Sequence, residues 1–326
     1  MKFLKIFSVL IFITFASNLF PADTIVINAT QTEEPTSLWI EKGTVVKFSV
    51  SGKWTMWDSW EPVDYRGHLD FKKINNYNLG ALIGRIEGGS NFEVKDNLSF
   101  TSQNSGLLIL FPNRGNYAHL NASGSLTVAV EGAKTISKAE ADKLAGWDLE
   151  KLDTARNADY LSAAEKDVIL LMNKARTNPS QFAKQYLETQ KNNGGYAKEC
   201  YDELMKMSPV EVLISSKALF LSSKDHAIDM GKKGKTGHVG SDGSSMSARI
   251  NRYGKWDGGI SENCSYGYND PMGIVLQLLI DDGVASRGHR KNILNKSSKY
   301  VGVSIQPHAQ YNYNCVQDFA VGIEDK

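Results

Sequence analysis

The hydrophobic rhythm of the chain changes across residues 132–160, and the two sides read as different kinds of structure. Before that point apolar residues come in short, β-branched runs: Thr24–Ile27, Thr44–Val50, Gly106–Phe111 and Ser125–Val130. Turn formers bound them at Glu41-Lys42-Gly43, Glu87–Ser90 and Asn121–Gly124. Short strands with turn signals between them predict an all-β sandwich over residues 23–131. Beyond residue 160 the period becomes helical. Val168, Leu171, Met172 and Ala175 form one apolar stripe behind Ser162 and Glu165, the Ser-x-x-Glu pattern of a capping box. Asn178-Pro179 interrupts that helix. Further helices are predicted over Lys217–Lys232 and Pro271–Ile280, and strands over Val301–Ile305 and Asn314–Phe319. Helices first and strands last make residues 161–326 an α+β domain, so the chain is multidomain. Residues 132–160 are charged with little apolar period and are expected to be a linker, in part helical.

The first residues bear on the compartment. Lys2 and Lys5 precede a nearly unbroken apolar run, Phe7–Phe15, and small residues follow at Ala16-Ser17 and Pro21-Ala22. Residues 1–22 therefore read as a secretory signal peptide cut between Ala16 and Ala22. The run is shorter than the roughly 20 residues a membrane span needs, and no later segment rivals it. The expectation is a secreted, periplasmic or envelope protein with no transmembrane span after signal removal. Charge adds an exclusion: 37 Lys and Arg against 36 Asp and Glu leave no field to attract nucleic acid. Three cysteines, Cys200, Cys264 and Cys315, are an odd number and too few for a disulfide scaffold.

Candidate chemistry concentrates in the C-terminal part. His238 lies in the turn-rich loop Gly237–Gly243, Ser261-Glu262-Asn263 follows, and His289 lies in Ser286–Leu294. Two imidazoles and a carboxylate are the ligand types of an open zinc site, where bound water loses a proton near neutral pH. Ser286 and His289 are close in sequence, but a Ser-His pair also needs an orienting acid and an oxyanion hole. Cys264 is expected to be buried or disulfide-bonded rather than nucleophilic. His226, on an apolar helix, reads as a core histidine, and His308 as a surface-loop residue.

Taken together, Asn173–Pro179, His226–Met230, Gly237–Gly243, Ser261–Asn263 and the Asp281–His289 run resemble the CAP superfamily of cysteine-rich secretory, antigen 5 and pathogenesis-related 1 proteins. The resemblance implies an α-β-α sandwich with a cleft lined by two histidines and two acids. Those positions are His238, His289, Glu262, and Asp281 or Asp282. It implies zinc or another divalent metal as a possible cofactor there. Members are mostly binders of lipids, sterols or proteins, so the leading expectation is a non-enzymatic binder of lipid, sterol, glycan or an envelope or host protein. The alternative is a zinc-dependent hydrolase with Glu262 as base; a further one is an adhesion spacer without chemistry. Because Cys264 and Cys315 fall in segments bordering the family's central sheet, they are the expected disulfide partners.

The N-terminal segments Ser37–Val45, Ser51–Trp54, Gly80–Ile86 and Asn121–Ser125 resemble the small PA-I galactophilic lectins. These bind sugar through calcium held by the loop before the last strand. Here Arg114 and Ala122 stand at ligand positions and only Asn121 persists, so calcium is not expected to bind. Trp54, Trp57 and Trp60 are candidates for a sugar-stacking platform, with Asn121 as a polar contact.

Overall fold

The computed structural model describes residues 22–31, 35–74, 76–87, 89–114, 122–188 and 190–326. The expected signal peptide, except Ala22, and Asn121 lie outside the described residues. The N-terminal domain consists of β1 (Asp23–Asn28), β2 (Pro35–Ile40), β3 (Val45–Thr55), β4 (Arg66–His68), β5 (Leu79–Ile86), β6 (Phe92–Glu93), β7 (Ser99–Thr101), β8 (Gly106–Pro112) and β9 (Ser123–Glu131). One sheet runs β1-β9-β3-β7; the other runs β2-β8-β5-β4, with β6 paired to β5. In β3, Val46, Phe48 and Val50 point inward while their neighbours face solvent, the period of a half-buried strand. β5 and β8 are buried throughout, which explains the unbroken apolar run of β8 and the one of β5 that only Arg85 interrupts.

Residues 132–160 are not a free linker. β10 (Lys134–Thr135) pairs with β2, and α1 (Lys138–Leu144) packs Ala141 with Trp39, Leu107 and Ile136. After α2 (Leu149–Leu152), the segment joins the other core through Trp147, Leu152 and Ala155. Asp142 is paired with the buried Lys174. A direct bridge runs between the domains as well: Gln185 donates to Glu87 at 2.7 Å and accepts from Trp147 Nε1 at 2.9 Å. Of the charged residues that suggested a linker, Asp142 is buried in this joint, while Lys134, Glu140 and Lys143 face solvent.

The C-terminal domain contains α3 (Ala163–Thr177), α4 (Pro179–Phe182), α5 (Gly195–Leu204), β11 (Ile214–Ser215), α6 (Lys217–Lys233), α7 (Met246–Tyr253), β12 (Gly254–Tyr266), α8 (Pro271–Ile280), α9 (Gly288–Ile293), β13 (Tyr300–His308) and β14 (Asn312–Asp325). The sheet order is β11-β13-β14-β12. Val301, Val303, Cys315 and Phe319 face α3 and α8, while Val316 and Ala320 face α6 and α7, giving the expected layers. The Ser162–Glu165 capping box starts α3. Helix α6 crosses β13 so closely that a Cβ on Gly302 would meet Leu219 C at 2.0 Å. β12 escaped the sequence reading because Asp257, Gly258, Gly259, Ser261 and Glu262 hide any apolar alternation.

All three cysteines are free and buried, so the expected Cys264–Cys315 disulfide is absent. The two residues lie on paired strands, but Cys264 is opposite Val316 and Ser265 opposite Cys315. Alternation therefore sends their side chains to opposite faces of the sheet. His308, expected on the surface, is buried and bonded to Lys235 O at 2.9 Å.

Arg176 ties the helical layer together. It is fully buried and donates to four backbone carbonyls: Glu211 at 2.8 Å, Ile293 at 2.6 Å, Asn295 at 3.0 Å and Ser298 at 3.0 Å. Burial lowers its pKa to about 10. Arg176→Met should cost about 3 kcal/mol or more, because several buried acceptors lose their donor together. Urea unfolding monitored by circular dichroism measures the loss; a variant as stable as wild type would contradict this account.

Candidate functional site

The loop after α6 is pinned at Gly237 before it presents His238. Gly237 O accepts from His226 Nε2 at 2.9 Å and from the Cys264 thiol at 3.7 Å, and Gly237 N donates to the Tyr266 hydroxyl at 2.9 Å. His238 follows with its side chain 54% exposed and Nδ1 2.9 Å from Glu262 Oε1. Glu262, on β12, is buried, and its Oε2 accepts from Arg249 Nη2. Arg249, on α7, is also buried and donates to His238 O at 3.2 Å and Ser244 O at 3.0 Å. Burial works against charge on Glu262, but the His238 hydrogen bond and the Arg249 charge outweigh it and hold the carboxyl below its usual range. Opposite Glu262 on β14, Asp318 is pushed well above the carboxylate range by burial and by Glu262.

A second pair repeats the arrangement. His289 Nδ1 lies 2.7 Å from Asp281 Oδ1, while Asp281 Oδ2 accepts from His289 N at 2.9 Å. Asp281 caps α8 and is buried; Asp282 is exposed, so Asp281 takes the position left open between the two acids. Asn263 connects the pairs by donating to His289 O at 3.2 Å and accepting from Asn292 at 2.8 Å. In both pairs the carboxylate faces Nδ1 and accepts a hydrogen bond from it, so in the neutral imidazole the lone pair is on Nε2; the side chain is 54% exposed in His238 and 22% exposed in His289.

One metal-like grouping is different from the expected one. His226, Glu262 and Cys264 each bring a ligand atom within 4.8 Å of the others, a spacing that could hold a metal ion. Their present bonding favours a core role: His226 Nε2 donates to Gly237 O, and burial lifts the Cys264 thiol well above its ordinary range. His226 is itself kept below the usual histidine range by burial. Sequence reading missed Arg249, since an arginine in a helix gives no local sign that it will be buried against a carboxylate.

The tryptophans do not form one platform. Trp54 is 1% exposed, in the core, and donates to Gly80 O at 2.9 Å. Trp57 and Trp60 stack at 5.9 Å, and Trp60 stacks on Phe71 at 4.7 Å. Trp60, Glu61, His68, Leu69, Asp70 and Phe71 border a groove of about 510 Å³. Arg114, which the lectin resemblance sets at a calcium-ligand position, donates to Thr30 O at 3.0 Å and Gln31 O at 2.8 Å.

Residues 169–319 match the model of the CAP family, described as the cysteine-rich secretory protein family. No curated protein matches the chain. Among solved structures it is similar to a PllA-like lectin, the EclA N-terminal domain, at 18% identity and TM-score 0.29, covering 36% of this chain and 100% of that one. An outer surface protein from Borrelia burgdorferi matches at 18% identity and TM-score 0.29, covering 36% and 80%. An extracellular protein containing an SCP domain from Bacillus anthracis str. Ames matches at 14% identity and TM-score 0.30, covering 60% and 52%. Among the described residues no helix is long and apolar enough to cross a membrane.

Two outcomes follow from the His238–Glu262–Arg249 chain. Glu262→Gln leaves Arg249 buried without its counter-charge, so the fold should lose about 3 kcal/mol rather than remain intact; denaturant unfolding measures it. The hydrogen bond from Glu262 raises the His238 pKa above its ordinary value, with burial opposing. A folded-state pKa above the unfolded one stabilises at low pH, and the gain is lost as pH rises through the folded value. The Tm difference between wild type and His238→Ala should therefore shrink as pH rises from about 6 to about 9. A difference that is constant with pH would refute the linkage.

Proposed function

From the CAP-family match over residues 169–319, we propose that the chain is an exported binding protein whose CAP cleft holds a ligand without turning it over. One observation carries this reading: both cleft carboxylates are already engaged. Glu262 is shared by His238 and Arg249, and Asp281 by the ring and backbone of His289. The hydrolase reading casts Glu262 as the base, a role that needs a carboxylate oxygen free to take a proton from water. Here the acids orient the imidazoles, and the groups left to a ligand are two Nε2 lone pairs.

Such a pair accepts hydrogen bonds from a lipid, sterol, glycan or protein partner. For a divalent metal the same reading makes His238 and His289 the ligands, with Glu262 and Asp281 fixing their tautomers. Two protein ligands fall short of the three usual at catalytic zinc. When bound, such a metal would supply a Lewis-acidic contact for an oxygen of the ligand. The groove beside Trp60 and Phe71 offers a second contact for a glycan, since aromatic faces pack against apolar ring faces. Export is supported by the charged start and short apolar run of residues 1–22.

Zinc titration of the full chain tests the reading. His238→Ala and His289→Ala should each weaken zinc binding by roughly tenfold or more, and no variant should gain or lose hydrolysis of a peptide or ester, because wild type has none. Turnover by wild type that Glu262→Gln abolishes at equal zinc occupancy would establish the hydrolase instead. Equal zinc binding by wild type and both histidine variants would move the metal elsewhere.

A further inference from the structure

The loop that delivers His289 begins and ends in left-handed backbone, at Asp281 with φ +57° and Arg287 with φ +54°. Neither is glycine, and such residues persist only where surrounding contacts over-determine them. The Asp281 carboxylate is held within the loop and the turn that follows it, by His289 Nδ1, His289 N and Arg290 N. Arg287 is held mainly from outside. Its Nε and Nη2 donate to the two carboxylate oxygens of Glu199, Nε at 2.8 Å, and its guanidinium lies 4.1 Å from the Tyr196 ring centre. Both partners belong to α5.

The grip is double. Glu199 also accepts from Arg290 Nη1 at 3.1 Å, and Glu203 accepts from the same atom at 2.7 Å. Arg290 is fully buried, with Nε and Nη2 on Leu279 O at 2.6 Å and Ile280 O at 2.9 Å, the last carbonyls of α8. Glu199 thus holds the residues two before and one after His289. Helix α5 is anchored in turn by Cys200 and Leu204 in the core. Isolated surface ion pairs contribute little, but here one guanidinium is fully buried and the other is bound bidentately.

We propose that α5 is a positioning clamp for His289: Glu199, acting through Arg287 and Arg290, keeps the loop in the form that places Nδ1 on Asp281. Glu199 is a positioning residue and does not touch the ligand. The inference rests on the two-imidazole binding face, and its test separates the two. Full-length protein with ¹⁵N-labelled histidine is compared as wild type, Glu199→Ala, Glu199→Gln and Arg287→Met at a pH near 8, above the ordinary histidine range. Nitrogen shifts report the tautomer, and zinc titration reports affinity.

In wild type His289 should be the Nδ1–H tautomer alone. In Glu199→Ala it should become a mixture, with zinc bound roughly tenfold more weakly, the His238 signals unchanged and the chain folded at the temperature of the titration. Glu199→Gln, which keeps an acceptor without the charge, should fall between. A wild-type tautomer together with wild-type zinc affinity in Glu199→Ala would overturn the clamp. A mixed tautomer in that variant, where wild type takes up no zinc, would support the clamp and count against metal binding. Should Glu199→Ala fail to fold, Arg287→Met breaks the same grip from the other side and is judged by the same two readouts.

Discussion

The C-terminal domain is organised around one buried charge, the Glu262 carboxylate. A carboxylate under a sheet is tolerable only if its charge is matched and its lone pairs are filled. Arg249 supplies the charge, and in doing so fastens α7 and the His238 loop to β12 through its contacts with Glu262, His238 O and Ser244 O. His238 fills the other oxygen. The charge also reaches Asp318, where burial and Glu262 together oppose ionisation and push its carboxyl well above the usual range. Cleft geometry and domain stability therefore share the same atoms.

His289 reaches an equivalent state by another route. Its partner Asp281 sits at a helix end in a left-handed conformation, which aspartate tolerates better than most residues. The following loop doubles back and closes on Arg287, also left-handed. In one histidine the orienting acid is fixed by an ion pair from α7 to the sheet. In the other it is fixed by backbone turns and by arginines gripped from α5. The outcome is the same in both: an imidazole whose Nδ1 is held against a buried carboxylate.

The N-terminal domain is joined to this one by more than chain connectivity. β10 extends the sandwich sheet, α1 covers its outer face, and the Lys174–Asp142 pair and the Gln185–Glu87 bond close the contact. Burial raises the Glu87 pKa, against the hydrogen bonds from Gln185 and the Leu107 amide.

The sequence by itself determined what depends on neighbours along the chain. Strand and helix periods, the Ser162–Glu165 cap, and the order of the glycine-rich histidine loops are local features, and they marked out the two folded parts and named His238, Glu262 and His289. Tertiary structure decided what depends on which face a residue occupies and what lies across from it. Strand register separated Cys264 from Cys315. The sandwich interior claimed Trp54 and left Trp57 at 40% exposure. Asp281 rather than Asp282 met His289 because of a helix-ending turn, and Arg249 became the partner of Glu262 because α7 folds over β12. No sequence pattern encodes these choices, because they come from long-range packing: a charge or a thiol takes its role from groups that only the folded chain brings beside it.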